Sequence, residues 1–289
     1  MPQTPTHKTA ILLLNCPDRK GIVAAIANFL LQLDANILHA DQHQDRDLSL
    51  FFTRIEFTLD PTRCSEDHFR ATFAPLALQF HMNWHLHYTD TRPNVAIFVS
   101  SYLHCLADLL HRHQSGELPC NLALIVANHP DAQPLADFYR IPFHLLPVTA
   151  DTKPQIEARQ LDLLQHHAID LVILARYMQV LSPDFVRAYP QRIINVHHSF
   201  LPAFTGARPY HAAFARGVKL IGATSHYVTA DLDEGPIIEQ DVTRVSQNDQ
   251  LAGLIQKGRD LERLVLSRAV RWHLNQRILS YANKTVVFT

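Results

Sequence analysis

A chain of 289 residues is long for one hydrophobic core and comfortable for two. Its 26 basic and 27 acidic residues leave a formal net charge of -1, which excludes a general pull toward nucleic acid or anionic lipid. Hydrophobic residues at 47% and charged residues at 18% suit a globular chain, and Cys16, Cys64, Cys105 and Cys120 form no C-x-x-C pair, which disfavours a zinc ribbon or a redox dithiol.

The opening MPQTPTHKTA has no basic stretch followed by an apolar one, and no apolar run anywhere reaches the roughly 18 residues of a membrane span. Free thiols in a reducing compartment and a cytoplasmic location are therefore expected, with no membrane partner. Ala10 to Leu14 reads as a buried strand, and Cys16-Pro17-Asp18-Arg19-Lys20-Gly21 as a turn with Asp18 as a candidate N-cap. Ile22, Ile26, Phe29, Leu30 and Leu33 recur at helical spacing. Residues 37–44 and 50–59 read as two strands joined by a polar turn. Ser65 to Phe80 reads as a helix that Pro75 kinks or shortens, and Met82 to Tyr88 as a last strand. The order β-α-β-β-α-β is the ferredoxin-like split unit.

This first part, residues 1–88, resembles the ACT domain, on its first strand, the turn 16–21 and the helix that follows. The resemblance implies a regulatory and oligomerisation unit, a homo-oligomer, and an amino acid as candidate effector. Gly21 suits either a close backbone approach or simply a tight strand-to-helix turn.

From residue 89 onward, short apolar strands alternate with helices: strands at 94–100, 121–128, 142–146, 171–175 and 193–197, helices at 103–113 and 154–167, and a helix opened by Ser182 and Pro183. Such alternation predicts an α/β, Rossmann-like, mostly parallel sheet with helices on both faces. Sites in these sheets lie beyond the carboxyl ends of the strands. That rule selects the segment after Ala175, the stretch from Asn195 to His197, and the loop 229–235 between strands expected at Ser225–Thr229 and from Gly235.

In INVHHSFLPAFTGARPY, from Ile194 to Tyr210, a strand ends in polar residues and a loop bearing Pro and Gly leads into a helix. Alternation puts Asn195 and His197 on one face, where an amide can donate to a developing oxyanion and an imidazole can handle a proton. Read alone, such a pair serves equally as a structural hydrogen bond. Adjacent His197 and His198 should point to opposite faces and make poor metal ligands, and no H-E-x-x-H is present, so no metal is called for. The acidic loop with Asp231, Asp233 and Glu234 is either a solvated turn or the source of a carboxylate that returns to the histidine. His226, near the end of its own strand, is a candidate to enter the same site.

Taken together, Asn195, His197 and the Asp233-x-Gly235 pattern resemble the folate-dependent formyltransferase fold, and with the N-terminal unit the chain resembles the formyltetrahydrofolate deformylase family over nearly its whole length. Further matching stretches are Asn128-His129-Pro130-Asp131, Ile141-Pro142-Phe143-His144, residues 174–181, residues 197–202 and residues 222–227. The resemblance implies Asn195, His197 and Asp233 as catalytic residues. It implies Arg176, Met178, Val180, Leu181, His226 and Gly235 as substrate-binding residues. It also implies 10-formyltetrahydrofolate and water as substrates with no cofactor, formate and tetrahydrofolate as products, and a role in purine synthesis and the one-carbon pool. The alternatives are formyl transfer to an amine and a non-catalytic amino-acid or folate sensor.

Glycine bears on the choice between water and another acceptor. A phosphate-binding first strand-to-helix turn needs glycine so that backbone N–H groups can reach the anion. Here that turn is Ser100-Ser101-Tyr102-Leu103-His104, without one. The resemblance places a Gly- and Ser-bearing turn there in the ribonucleotide-using transferase, so a phosphoribosyl acceptor is disfavoured and Tyr102 or His104 is expected to fill the space.

Overall fold

In the computed structural model, which describes residues 8–203 and 209–289, the chain divides into two units. One is Met1–Arg92 with Asn275–Tyr281 and Val286–Thr289, and the other is Pro93–Leu274 with Ala282–Thr285.

The first unit contains β1 (Lys8–Pro17), α1 (Ile22–Gln32), β2 (Asn36–Asp45), β3 (Leu50–Leu59), α2 (Glu66–Phe80) and β4 (Asn83–Tyr88). The sheet order is β2-β3-β1-β4 with every pair antiparallel, the expected βαββαβ arrangement. β1 is apolar from Ala10 to Leu14 because both of its faces are covered there. Ala10, Leu12, Leu14 and Cys16 pack on the helices with Ile26, Leu30, Phe69 and Phe73, while Ile11 and Leu13 pack on the opposite face. Gly21, at φ 94, takes the left-handed turn that lets α1 start at Ile22. Ser65 caps α2 by accepting from the His68 N–H at 3.2 Å, and Pro75 sits inside that helix without ending it.

The second unit contains β5 (Asn94–Val99), α3 (His104–Gln114), β6 (Asn121–Ala127), α4 (Gln133–Tyr139), β7 (Phe143–Leu145), α5 (Lys153–His166), β8 (Leu171–Ala175), α6 (Pro183–Ala188), β9 (Ile193–His197), α7 (Pro209–Arg216), β10 (Leu220–Tyr227), β11 (Ile237–Arg244) and α8 (Leu251–Leu274). The seven strands run β11-β10-β9-β8-β5-β6-β7. Five of them, β9 to β7 in that order, pair in parallel, whereas β10 and β11 turn back antiparallel. The chain starts at β5, winds outward to β7, and returns to β8 on the other side. The winding direction therefore reverses between β5 and β8, and the carboxyl ends there open a crevice. β8 is buried at every residue, which explains its unbroken apolar run.

Three expectations are corrected in this unit. The strand expected at Ser225–Thr229 spans Leu220–Tyr227, and its successor starts at Ile237 rather than at Gly235. The 24-residue α8 was not anticipated. The loop bearing Pro and Gly between Leu201 and Tyr210 falls largely at 204–208, outside the described residues, as does the N-terminal stretch 1–7. At the C-terminus β12 (Ile278–Tyr281) and β13 (Lys284–Val287) form a hairpin, and Leu279, Val286 and Phe288 cover Ile11, Leu13 and Phe52. Asn275–Tyr281 and Val286–Thr289 group with the first unit, although their place in the chain follows the second. Among the described residues, no helix is long and apolar enough to cross a membrane.

Candidate active site

β9 ends at the carboxyl edge of the sheet, with Asn195 and His197 two residues apart and so on one face. β10 returns antiparallel and sets His226 directly opposite Asn195. Asn195 Nδ2 and His226 Nε2 are 3.2 Å apart. His226 Nδ1 lies 2.9 Å from the carbonyl oxygen of Tyr227, which can only accept. Nδ1 therefore carries a proton, and in the neutral ring Nε2 accepts from the Asn195 amide.

The loop after β10 brings in the carboxylate. Gly235 is what allows this: a Cβ there would stand 1.8 Å from the Tyr227 carbonyl oxygen, so no other residue can pass. Asp233, in the left-handed region at φ 57, reaches His197 with Oδ2 3.1 Å from Nδ1. Its Oδ1 lies 3.6 Å from His226 Nε2. Burial by itself raises the Asp233 pKa, but the hydrogen bond from His197 and the neighbouring His226 outweigh it and hold the carboxyl well below the ordinary range. The other nitrogen of His197, Nε2, is buried and has no hydrogen-bond partner among the described residues. His197 lines a cavity of about 370 Å³ bounded by residues 176–181, by Asn195–His198, by His226 and by residues 228–233.

The sequence-predicted residues divide at this cavity. Asn195, His197, His226 and Asp233 converge. Met178 and Val180 line it with half-exposed side chains, and Leu181 lines it from a buried position. Arg176 also lines it, and its Nε stands 3.4 Å from Glu262 Oε2. Gly235 does not border the cavity; its part is the close approach that aims Asp233. His198 departs from the alternation argument, because the strand stops at His197: the two imidazoles are 5.1 Å apart and border the same cavity.

A second polar cluster lies beside the β5–α3 turn. Glu262 on α8 is 1% exposed and accepts from the Tyr210 hydroxyl at 2.6 Å and from His104 Nε2 at 2.7 Å. Burial raises its pKa, but His104, Arg176 and Tyr210 together pull it below the ordinary value. The Tyr102 ring lies between the guanidiniums of Arg176 and Arg259, at 5.3 and 5.6 Å. Bulky side chains thus stand at the glycine-free turn, His104 half-buried and Tyr102 exposed. His104, Cys105 and Glu262 offer possible ligand atoms within 4.8 Å of one another. The chemistry there does not suit a cation: Arg176 already stands beside the carboxylate, and burial pushes the Cys105 thiol far above its usual range.

Two of these residues escaped a definite reading from the sequence. His226 had a weak signal, an imidazole near a strand end, but its partnership with Asn195 depends on the register of β10. Glu262 had none, since an acidic residue in a charged helical stretch reads as solvated.

Comparison with known proteins bears on the whole chain. A formyl transferase family model matches residues 93–270 and an ACT domain model matches residues 10–62. A formyltetrahydrofolate deformylase of Synechocystis sp. is 55% identical over 280 residues, covering 97% of this chain and 98% of the relative. The crystal structure of a formyltetrahydrofolate deformylase from Pseudomonas syringae superposes with a TM-score of 0.93 at 46% identity, covering 98% of this chain and 95% of that one. A glycinamide ribonucleotide transformylase from Symbiobacterium toebii superposes with a TM-score of 0.66 at 27% identity, covering 71% of this chain and 98% of its own.

Proposed function

The chain belongs to the formyltetrahydrofolate deformylase family, and on that footing we propose that it hydrolyses 10-formyltetrahydrofolate to formate and tetrahydrofolate, with Asn195, His197 and Asp233 as its catalytic residues. The observation that carries the reading is the convergence of an amide, an imidazole and a carboxylate on one cavity, with His197 Nε2 buried and without a hydrogen-bond partner among the described residues. The Asn195 amide and the Nε2–H of protonated His197 donate to the formyl oxygen, and Asp233 balances the imidazolium charge. Water attacks the formyl carbon and loses its proton beside the Asp233 carboxylate. The tetrahedral intermediate collapses, the C–N bond to the folate breaks, N10 takes up a proton, and formate leaves.

The strand-to-helix turn that could cradle an acceptor's phosphate has no glycine and carries Tyr102 and His104, which supports water as the acceptor. The exposed half-apolar wall at Met178 and Val180 receives the flat pterin. The experiment is formate release from 10-formyltetrahydrofolate with no amine present. Stoichiometric formate and tetrahydrofolate support the reading, and turnover that requires an added amine replaces it with formyl transfer. Tight folate binding without turnover replaces it with a sensor.

The first unit is read as the regulatory one. β2 is an edge strand of its sheet, exposed along most of its length, and is suited to pairing with a second copy. A homo-oligomer with an amino-acid effector follows, and sedimentation together with the formate assay in glycine or methionine tests both. The enzyme is assigned to the cytoplasm, where it supplies formate for purine synthesis and balances the one-carbon pool.

A further inference from the structure

The inward stripe of α5 is unusual. Where a helix packed on a parallel sheet normally presents apolar residues, this one buries Glu157, Gln160 and Leu164. A buried carboxylate and a buried amide are each costly unless hydrogen-bonded. Both are engaged, and with the same partner segment. Glu157 Oε1 accepts from the Ser182 N–H at 3.0 Å, and Gln160, 1% exposed, donates to the Tyr177 hydroxyl at 2.9 Å. The stretch from Arg176 to Ser182 is the cavity wall that carries Met178 and Val180, and it has neither helix nor strand to satisfy its backbone.

A third hold comes from the end of β5. Ser100, 3% exposed, donates its N–H to the Arg176 carbonyl at 3.3 Å, and its hydroxyl accepts from the Met178 N–H at 3.0 Å. Arg176 itself sits at φ 62, a conformation that a side-chain-bearing residue keeps only when its surroundings impose it. Tyr177, between Arg176 and Met178, is buried edge-on against Phe98. The wall is therefore fixed at three points from behind, while the side chains at 178 and 180 face the cavity.

We infer that Glu157, Gln160 and Ser100 are positioning residues for substrate binding: they hold the 176–182 wall in the shape that takes the flat ring system of the folate, and act on the reaction only through that wall. None of the three borders the cavity. The inference rests on the folate reading of the cavity. Its physical basis is preorganisation, because a wall already ordered in the free protein need not be ordered on binding.

The test uses the full-length chain and the single variants Ser100→Ala, Gln160→Leu and Glu157→Leu. Formate release from 10-formyltetrahydrofolate is followed over a range of substrate concentrations, and tetrahydrofolate binding is measured by calorimetry. The expected result is a KM and a tetrahydrofolate Kd each raised about tenfold in Ser100→Ala and Gln160→Leu, with kcat within about twofold of the parent, because Asn195, His197 and Asp233 are untouched. In parallel, amide hydrogen exchange at Met178 should quicken at least tenfold in Ser100→Ala, and at Ser182 in Glu157→Leu. Should Glu157→Leu fail to fold, the other two variants decide. Unchanged KM and Kd in folded Ser100→Ala and Gln160→Leu overturn the inference, as does a fall confined to kcat. Absence of formate release from the parent protein would overturn the deformylase reading instead, and calorimetry on the same variants would still judge the wall.

Discussion

Asp233, half-buried, and Glu262, buried, are both carboxylates of the second unit, both pressed against a histidine and both held below the ordinary carboxylate range, yet their surroundings are completed differently. Around Glu262 the oxygens meet Tyr210 and His104, with the Arg176 cation alongside. Around Asp233 the chain stops one contact short: His197 holds the carboxylate through Nδ1, while its Nε2 has no partner among the described residues, in a ring that borders the cavity. In the proposed reading, the same chemical pieces make a structural anchor where they close on themselves and a reaction centre where they leave one valence for a substrate. What separates the two is whether the last partner is protein.

The contrast can be tested from both sides. At the open cluster, His197→Ala, Asp233→Asn and Asn195→Ala should each lower kcat about 100- to 1,000-fold, the loss of roughly 3–4 kcal/mol of transition-state stabilisation typical of one oxyanion donor. Their circular dichroism and elution should match the parent, and near-parental turnover in any of them would remove that residue from the mechanism. At the closed cluster, Glu262→Ala leaves His104 and Arg176 facing each other without their anion. It should cost about 3 kcal/mol of stability, a Tm fall of roughly 6–12 °C, read by calorimetry. A Tm within a degree of the parent would mean that the cluster does not anchor the fold.

A smaller effect sharpens the picture at Gly235. Gly235→Ala forces a methyl against the Tyr227 carbonyl, so the loop must shift, at about 1–3 kcal/mol by the usual cost of overpacking. Because that loop aims Asp233, kcat should fall about tenfold alongside the drop in Tm; a normal kcat would show that the carboxylate keeps its place without the close approach. The smallest effect is in pH. A carboxyl with a lowered folded-state pKa adds stability that is fully present above its unfolded value, about 4, and is lost as pH falls through the folded one. The difference in urea stability between the parent and Asp233→Asn should therefore be level from neutrality down to about pH 5 and shrink below about pH 4. A difference that instead shrinks between pH 8 and 6 would point to a histidine as the titrating group.

Much of this was readable from local pattern. β3 and β8 match the strands expected at 50–59 and 171–175 residue for residue, and Ser182 caps the helix it was expected to open, whereas Gly21 and not Asp18 stands at the N-cap of α1. The carboxyl-end rule led to the right strand ends, with Asn195 and His197 together on one face. What stayed hidden depends on contacts distant in the chain. His104 and Glu262 are 158 residues apart, so neither announces the other. The C-terminal hairpin follows the second unit in order yet completes the outer face of β1 and β3. The expected mostly parallel sheet is present, but the pattern did not say which strand departs from it: β10 runs antiparallel to both β9 and β11. Arg176 borders the cavity as expected, but its buried partner Glu262, 86 residues further along, could not be read from the sequence.

The reversed strand β10 also sets how this enzyme can be altered. Because Asn195 faces His226 directly across an antiparallel pair, adding or deleting one residue within β10 would swing the imidazole to the far face and present Ser225 or Tyr227 instead. The side chains of 228–232 carry no such frame constraint, since that segment borders the cavity between two strands, but its length sets the reach of Asp233 to His197. An engineer seeking a new formyl donor would thus vary composition in that connection and leave its length, and the strand count of β9 and β10, alone.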